Sequence, residues 1–362
     1  MGASWTRSFR KEFQVKKLPL FPATLELLLE PRWYLPPWVW LLYRLSALVY
    51  TLAWCIHSGL LFASPKWLIL LCHLTYCILG VYYLIALVNL IAMLVCIRCF
   101  CRREVKKKSS VRLCVPDSLD TSEGAPHTES SRLWVEQWTL LRLTPPPLAL
   151  SLRLQWLLQV VVSTFSLTVS VLYWSINYPV SHHPIRPFSI NLHVVNSAQV
   201  LLELFLSATP VHLVHYVYLL AAGVLYLLFV LVFWLGGFTN MNGQPYVYRV
   251  LDFGGNPVLA TLCTLGFSLV CLPLFHFVLW NVHLLRERLA RGPRGRRFAL
   301  RREAWWWGNV GGLSPFLTAA PDPEVLVFAS REGEPQLLRA LSHGYCSMTT
   351  ESPANGHSSV SA

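Results

Sequence analysis

Polar side chains recur at helical spacing within "INLHVVNSAQVLLELF", residues 190–205. The four are His193, Asn196, Gln199 and Glu203. Because they are three or four positions apart, they share one side of a helix. A carboxylate inside a membrane helix is costly and usually faces the protein interior. This polar stripe therefore predicts a polar interior, in which Glu203 is protonated or paired with His193, Gln159 or Arg153.

A thiol or hydroxyl within reach of an imidazole is the minimum requirement for nucleophilic catalysis. Cys72 and His73 lie near the start of the second apolar run, and His193 begins the fourth. If the chain enters both runs from the same side of the membrane, these residues lie at similar depth. The pattern thus offers the Cys72 thiol as a candidate nucleophile and His193 as its base.

Histidines near both ends of the apolar runs leave a transmembrane haem protein as a minor alternative, since paired imidazoles serve as axial ligands. The outer pair would be His73 with His193. The inner pair would combine His212 or His215 with His276 or His283. The cysteines of "CIRCFCRR" have no complementary His/Cys set nearby, as zinc would need. We predict no metal site and no cofactor.

Cysteines border the basic cluster that follows the second apolar run. Cys96, Cys99 and Cys101 lie there and are candidates for palmitoylation, with unmodified thiols as the alternative. Cys55 and Cys72 lie near the same ends of neighbouring spans, so a disulfide between them is a further option.

Other polar side chains in the apolar runs have simpler explanations. Gln155 and Gln159 follow one side of the third run with several serines. They either line the same interior or hydrogen-bond across packed helices. Arg44 lies about two turns into the first run, where its side chain can reach the interface as an anchor.

Composition identifies the class of protein. The chain has 362 residues, of which 54% are hydrophobic and 13% charged. A soluble domain carries about a quarter charged residues, so a multi-pass membrane protein is predicted. The formal charge of +12 lies in blocks beside apolar runs, which favours contact with lipid headgroups over nucleic acid. Membrane lipids are the expected partners and a candidate source of substrate, and the sequence does not identify a protein partner.

Apolar runs long enough to span about 30 Å of hydrocarbon predict an all-α bundle of about six transmembrane helices. They fall at about 38–58, 67–97, 148–174, 194–209, 213–235 and 258–284. Lys and Arg concentrate in alternate connections, so both termini are predicted to be cytosolic, in the plasma membrane or another secretory-pathway membrane. The predicted segments are an N-terminal segment 1–37, spans 38–97, a basic loop and linker 98–147, spans 148–284, and a basic, largely disordered tail 285–362.

Dispersed motifs resemble the rolling stone family of multi-pass membrane proteins between about Trp33 and Leu285. They are "WLLYRLSALVYTLAW", "PKWLILLCHLTY", "LQWLLQ", "YWSINYP", "NLHVVNSAQVLLEL" and "YVYRVLDFGGNP". The resemblance implies a plasma-membrane protein associated with myoblast fusion. More distantly, the chain is similar to the androgen-induced FAR-17a family of transmembrane hydrolases. That likeness implies a base at His193 with Glu203 ten residues later, and a nucleophile position that falls on Cys72 or Thr75.

Two hypotheses follow. In the first, the chain organises membranes or promotes cell–cell fusion without established catalysis, and its polar stripe serves helix packing. In the second, it is an intramembrane hydrolase of lipid acyl esters.

Overall fold

The computed structural model describes residues 9, 12–14, 17–20, 25–113, 146–181, 185–292 and 295–299. These residues belong to one compact unit. Residues 114–145 and 300–362 lie outside the described residues, and the prediction of disorder falls on those segments.

Six helices in the described residues are long and apolar enough to cross a membrane, which confirms the predicted number. They are α1 Pro37–Phe62, α2 Leu71–Leu113, α3 Pro146–Leu172, α4 Pro187–Leu206, α5 Tyr216–Leu235 and α6 Pro257–Arg291. A short helix, α7, covers Gly295–Phe298. No strand occurs among the described residues, apart from two isolated bridges. The all-α prediction is confirmed.

The observed helix ends differ from the predicted ones where polar residues lower the hydropathy of a helix. The fourth span begins at Pro187, seven residues earlier than predicted, because proline is favoured in a first helical turn. It ends at Leu206, where Ser207 turns to extended backbone. The first part of the predicted 98–147 loop is also helical, since α2 continues to Leu113.

Three helices contain π-helical turns, in which the backbone is locally widened. α3 continues into one at Tyr173–Asn177. α4 contains one at Asn191–Val195, and α6 contains one at Phe267–Cys271. The first two include Tyr173 and His193, so the predicted catalytic histidine lies in an irregular part of its helix.

α2 and α3 form the centre of the bundle. Within the most apolar stretch of each helix, half of α2 and 61% of α3 is buried, against 17% for α1 and for α6. A core cluster joins Tyr76, Tyr83 and Ala86 of α2 to Val162 of α3 and Val200 of α4. Leucines and valines on the outer helices remain exposed, as lipid-facing positions require.

The segment before α1 closes the face of the bundle on which α1 begins and α4 ends, here called the amino-terminal face. Pro31 bridges to Ser207, and Trp33 bridges to Ala299. The Ala208 amide also donates to the Glu30 carbonyl at 2.9 Å. The orientation of this face toward the cytosol stays a prediction.

Candidate functional site

A buried ion pair joins α1 to α4. The Arg44 Nη2 atom lies 3.0 Å from the Glu203 Oε1 atom, and Tyr82 of α2 donates its hydroxyl to the same oxygen at 2.7 Å. Arg44 and Glu203 are 0% and 2% exposed. Three helices therefore meet at a charged centre that is removed from both water and lipid.

The surroundings of Arg44 show why its side chain stays inside. Its guanidinium lies 4.6 Å from the centre of the Trp40 ring, an arrangement that attracts a cation to the ring face. Trp40 is fixed in turn by a 2.8 Å hydrogen bond from its indole to the Leu29 carbonyl. The prediction that Arg44 reaches the interface as an anchor is wrong, because Glu203 and Trp40 hold it in the interior. The predicted partners of Glu203 are also replaced by Arg44 and Tyr82.

The middle of the polar stripe contacts two other helices. Gln199 donates to the Thr51 hydroxyl of α1 at 3.1 Å. Asn196 accepts a 3.0 Å hydrogen bond from the Ser166 hydroxyl of α3. These groups are bonded between helices, as interhelical packing predicts.

The two glutamines of α3 divide between packing and a small cavity. Gln155 accepts from Asn89 of α2 at 2.9 Å and donates to the Leu28 carbonyl at 2.8 Å. Gln159 donates to the Ser207 hydroxyl at 3.4 Å and lines a small cavity with Ser163, Thr209 and His276. Gln159 is thus the predicted lining residue that reaches a cavity.

His193 lies in an aromatic environment away from the ion pair. Its ring stacks on Tyr173 with 3.6 Å between centroids and 7° between planes. Its Nδ1 atom is buried and has no hydrogen-bond partner among the described residues. Nearby, His73 packs against Phe188 of α4 and its Nδ1 lies 3.0 Å from the Trp67 carbonyl oxygen. The His193 ring is therefore held by stacking on Tyr173. None of the described residues forms a hydrogen bond with its Nδ1 of the kind that orients a catalytic histidine.

The candidate nucleophiles are both buried at the start of α2. Cys72 lies beside Tyr248, whose hydroxyl accepts the Leu71 amide at 2.8 Å and so satisfies an end of the helix. Thr75 is 2% exposed. The hydrogen bonds found among the described residues join neither side chain to His193, and the catalytic assignment of the three stays a prediction.

Sequence reasoning missed a second buried arginine, at the amino-terminal face. Arg286 of α6 is 0% exposed and donates to the carbonyls of Leu204 at 2.7 Å, Ser207, and Thr209 at 3.2 Å. The last carbonyls of a helix have no partner within it and attract positive charge. Arg286 therefore caps the end of α4.

Glu287 extends this contact to the segment before α1. Arg32 binds it through two hydrogen bonds, of 3.0 and 3.1 Å. The preceding residue in the chain, Arg286, is 3.1 Å from the same carboxylate. The signal that sequence reasoning could have used is an arginine facing inward within the last helix, next to an acidic residue.

Glu12 binds the turn between α4 and α5. Its carboxylate lies 3.1 Å from the His212 ring and accepts the Leu213 amide at 3.3 Å, while Lys17 binds its other oxygen at 2.6 Å. Burial by itself would raise the pKa of Glu12, but the hydrogen bonds of His212 and Lys17 outweigh it and lower the pKa to about 2. The carboxylate is thus charged and acts as an N-terminal cap for the helical segment that begins at Leu213.

The inner histidines proposed for haem use ring nitrogens for other contacts. His276 Nε2 is 2.9 Å from the His212 carbonyl oxygen, and His215 Nε2 is 3.1 Å from that of Lys17. His283 Nδ1 is 2.8 Å from Arg286. Within the described residues, no group of three or more His, Cys, Asp or Glu side chains is arranged for a metal ion.

The cysteines fall in different environments from those predicted. Cys55, Cys72 and Cys77 are all free thiols; Cys72 is buried, and the Cys55 sulfur lies 3.7 Å from the Cys77 sulfur. The predicted option of a Cys55–Cys72 disulfide is therefore wrong. Cys96 is a partly exposed free thiol, and the side chains of Cys99 and Cys101 lie outside the described residues. Palmitoylation stays a prediction.

Comparisons with known proteins agree with the predicted resemblance. A family model described as "Protein rolling stone" matches residues 147–292. The curated "Protein rolling stone" of Drosophila melanogaster is 27% identical over 140 residues, which are 38% of this chain and 51% of that protein. The chain thus spans about half the length of the curated relative it matches. No solved structure matches. The family match covers the spans α3 to α6 and includes His193, Glu203 and Arg286.

Proposed function

Starting from this similarity to the rolling stone family, we propose that the chain organises the membrane that holds it and promotes cell–cell fusion without catalysis of its own. The observation that carries the proposal is that the polar stripe is used for helix packing. Glu203 binds Arg44 and Tyr82, Asn196 binds Ser166, and Gln199 binds Thr51.

A stripe used in this way specifies one arrangement of helices. Polar hydrogen bonds between membrane helices contribute about 1 kcal/mol or less each, but a buried charge tolerates few alternative positions for its partner. The contacts of α4 fix it against α1, α2 and α3 at several depths. The bundle is therefore suited to act as a rigid membrane platform, whose exposed apolar side chains contact lipid.

The test is complementation in fusion-competent cells that lack the protein, with cytoplasmic content mixing as the readout. Wild type and the triple variant Cys72→Ala/Thr75→Ala/His193→Ala are compared at equal surface expression. We expect both to restore mixing to within about twofold of each other. Failure of surface-expressed wild type to restore mixing would refute the fusion role, and loss of activity in the triple variant alone would refute the non-catalytic one.

The second candidate function is hydrolysis of lipid acyl esters. It is favoured by His193, whose Nδ1 is unpartnered while its ring is stacked on Tyr173 at 3.6 Å. π-helical turns such as the two that hold these residues are frequent at functional sites. In this reaction Cys72 or Thr75 would attack the ester carbonyl while His193 accepts the proton of the nucleophile. The ester C–O bond would break as that proton passes to the departing alcohol, and water would then hydrolyse the acyl-enzyme.

This reaction is tested with purified protein in detergent, a long-chain acyl ester, and a lipid-directed hydrolase probe. Activity lost in His193→Ala and in either Cys72→Ala or Thr75→Ala would support the hydrolase. Cys263→Ala is a matched control, since Cys263 lies in α6 outside this cluster. Activity that is absent in wild type, or unchanged in all three variants, would exclude it.

A further inference from the structure

Two thiols lie at the same depth on the neighbouring helices α1 and α2. Cys55 is seven residues before Phe62, where α1 ends, and Cys77 is six residues after Leu71, where α2 begins. At 1.5 Å per residue both lie about 10 Å from the helix ends that the turn at 63–70 connects. The short turn therefore places the two side chains opposite each other.

The sulfur atoms are already in contact. The Cys77 Sγ atom is 3.7 Å from the Cys55 Sγ atom, and neither residue is fully buried. A disulfide needs a separation of about 2.05 Å, so the sulfurs must approach by about 1.7 Å, which side-chain rotation can supply. Cys72, Cys263 and Cys271 are also free thiols, and the sulfur–sulfur hydrogen bond found within the described residues joins Cys77 to Cys55.

We propose that Cys55 and Cys77 form a redox site that reacts with a hydroperoxide to give an interhelical disulfide. In the first step one sulfur attacks the peroxide, an S–O bond forms as the O–O bond breaks, and the thiol proton leaves with the departing oxygen as water or an alcohol. In the second step the other sulfur attacks the sulfenic acid, and the S–S bond forms as water leaves. The two sulfurs supply the two electrons that reduce the peroxide.

The disulfide would change how α1 is held. α1 contacts α4 through three hydrogen-bonded side-chain pairs, Arg44 with Glu203, Tyr50 with Asn191, and Thr51 with Gln199. The Phe62 ring of α1 also packs against the Phe188 ring of α4. Little of α1 is buried, since only 17% of its most apolar stretch lies inside the bundle. A covalent link to the central helix α2 would restrict separation of α1 from the bundle. Oxidation would thereby stabilise the arrangement that the ion pair already favours.

The sequence offers a direct assay, because Lys66 is the only lysine between the two cysteines. Two full-length variants are compared, one retaining only Cys55 and Cys77 and the other retaining only Cys55 and Cys72. Each variant is treated in detergent with hydrogen peroxide and is then denatured while its remaining thiols are blocked. A protease that cleaves after lysine is then added. A disulfide keeps fragments 18–66 and 67–106 together until a reductant is added.

We expect the joined fragments to be at least tenfold more abundant in the Cys55/Cys77 variant than in the Cys55/Cys72 control. Fragments that separate in both variants, or that join equally in both, would overturn the proposal. Wild-type protein gives an independent measurement if either variant fails to fold. Cleavage after Tyr76 separates Cys72 from Cys77, so mass spectrometry can tell which of the two is linked to Cys55 in the oxidised protein. The proposal requires Cys55 to be linked to the Cys77 peptide. Linkage to Cys72, or no linkage, would refute the proposal.

Discussion

Removing one partner of the Arg44–Glu203 pair should destabilise the bundle far more than removing both. Glu203→Gln keeps the shape of the side chain and leaves the Arg44 charge buried without a counter-charge. Arg44→Met leaves the Glu203 carboxylate with only the Tyr82 hydrogen bond. The double variant has neither charge, and Met fits the apolar space beside Trp40.

The structure gives the size of the effect. Charges about 4 Å apart interact by about 4 kcal/mol at the effective dielectric constant of partly polar protein sites. Breaking a buried pair costs about 3–5 kcal/mol, because the remaining charge loses its compensation. We therefore expect each single variant to lose about 3 kcal/mol or more of unfolding free energy. The double variant should lose about 1–2 kcal/mol less than either one.

Reversible unfolding in mixed detergent micelles, followed by circular dichroism, measures these free energies in a double-mutant cycle. Arg288→Met is the control, since Arg288 is exposed near the end of α6. It should change the unfolding free energy by less than about 0.5 kcal/mol. If the double variant loses the sum of the two single losses, the residues are not coupled and the ion pair does not stabilise the bundle.

Other substitutions test the remaining contacts. Arg286→Met should lower the unfolding free energy by about 3 kcal/mol or more, because three backbone carbonyls at and just beyond the end of α4 lose a charged donor. A melting temperature equal to that of wild type would contradict this cap. Tyr82→Phe should cost about 1.5–3 kcal/mol, the value of a hydrogen bond to a charged group, in the same micelle assay; no loss would show that Arg44 alone satisfies Glu203. Glu12→Gln should lower the unfolding free energy at neutral pH. Because the pKa of Glu12 is lowered to about 2, the difference in unfolding free energy from wild type should shrink as the pH falls from about 4.5 toward 2. A difference that is constant between pH 6 and 3 would refute the charged cap.

The helices could be predicted from composition and length because the bilayer imposes a minimum apolar run and requires backbone hydrogen bonds. The ends were less predictable where polar residues occur inside a helix. The fourth span begins at Pro187 because the helix continues through Asn191 and His193, whose side chains are buried between helices. Hydropathy cannot distinguish a polar residue that faces water from one that faces another helix.

The polar stripe was predictable from its spacing, but its partners were not. Helical periodicity predicted that Glu203 faces the interior, and it does. Which residue pairs with it depends on the packing of α1 against α4, which the sequence of either helix does not specify. Arg44 was assigned to the interface because a long side chain near a helix end can reach water. That argument fails where an internal carboxylate is nearer than the interface.

The two buried arginines show how charge fixes α4 in two different ways. Arg44 binds the side chain of Glu203, so it depends on a second charge that is equally costly to bury. Arg286 binds backbone carbonyls at and just beyond the end of α4, and the partly exposed Glu287 balances its charge. The first contact specifies which face of α4 meets α1, and the second specifies where α4 stops. Because they act on different features, their substitutions should be additive within about 0.5 kcal/mol, even though Leu204, one acceptor of Arg286, directly follows Glu203.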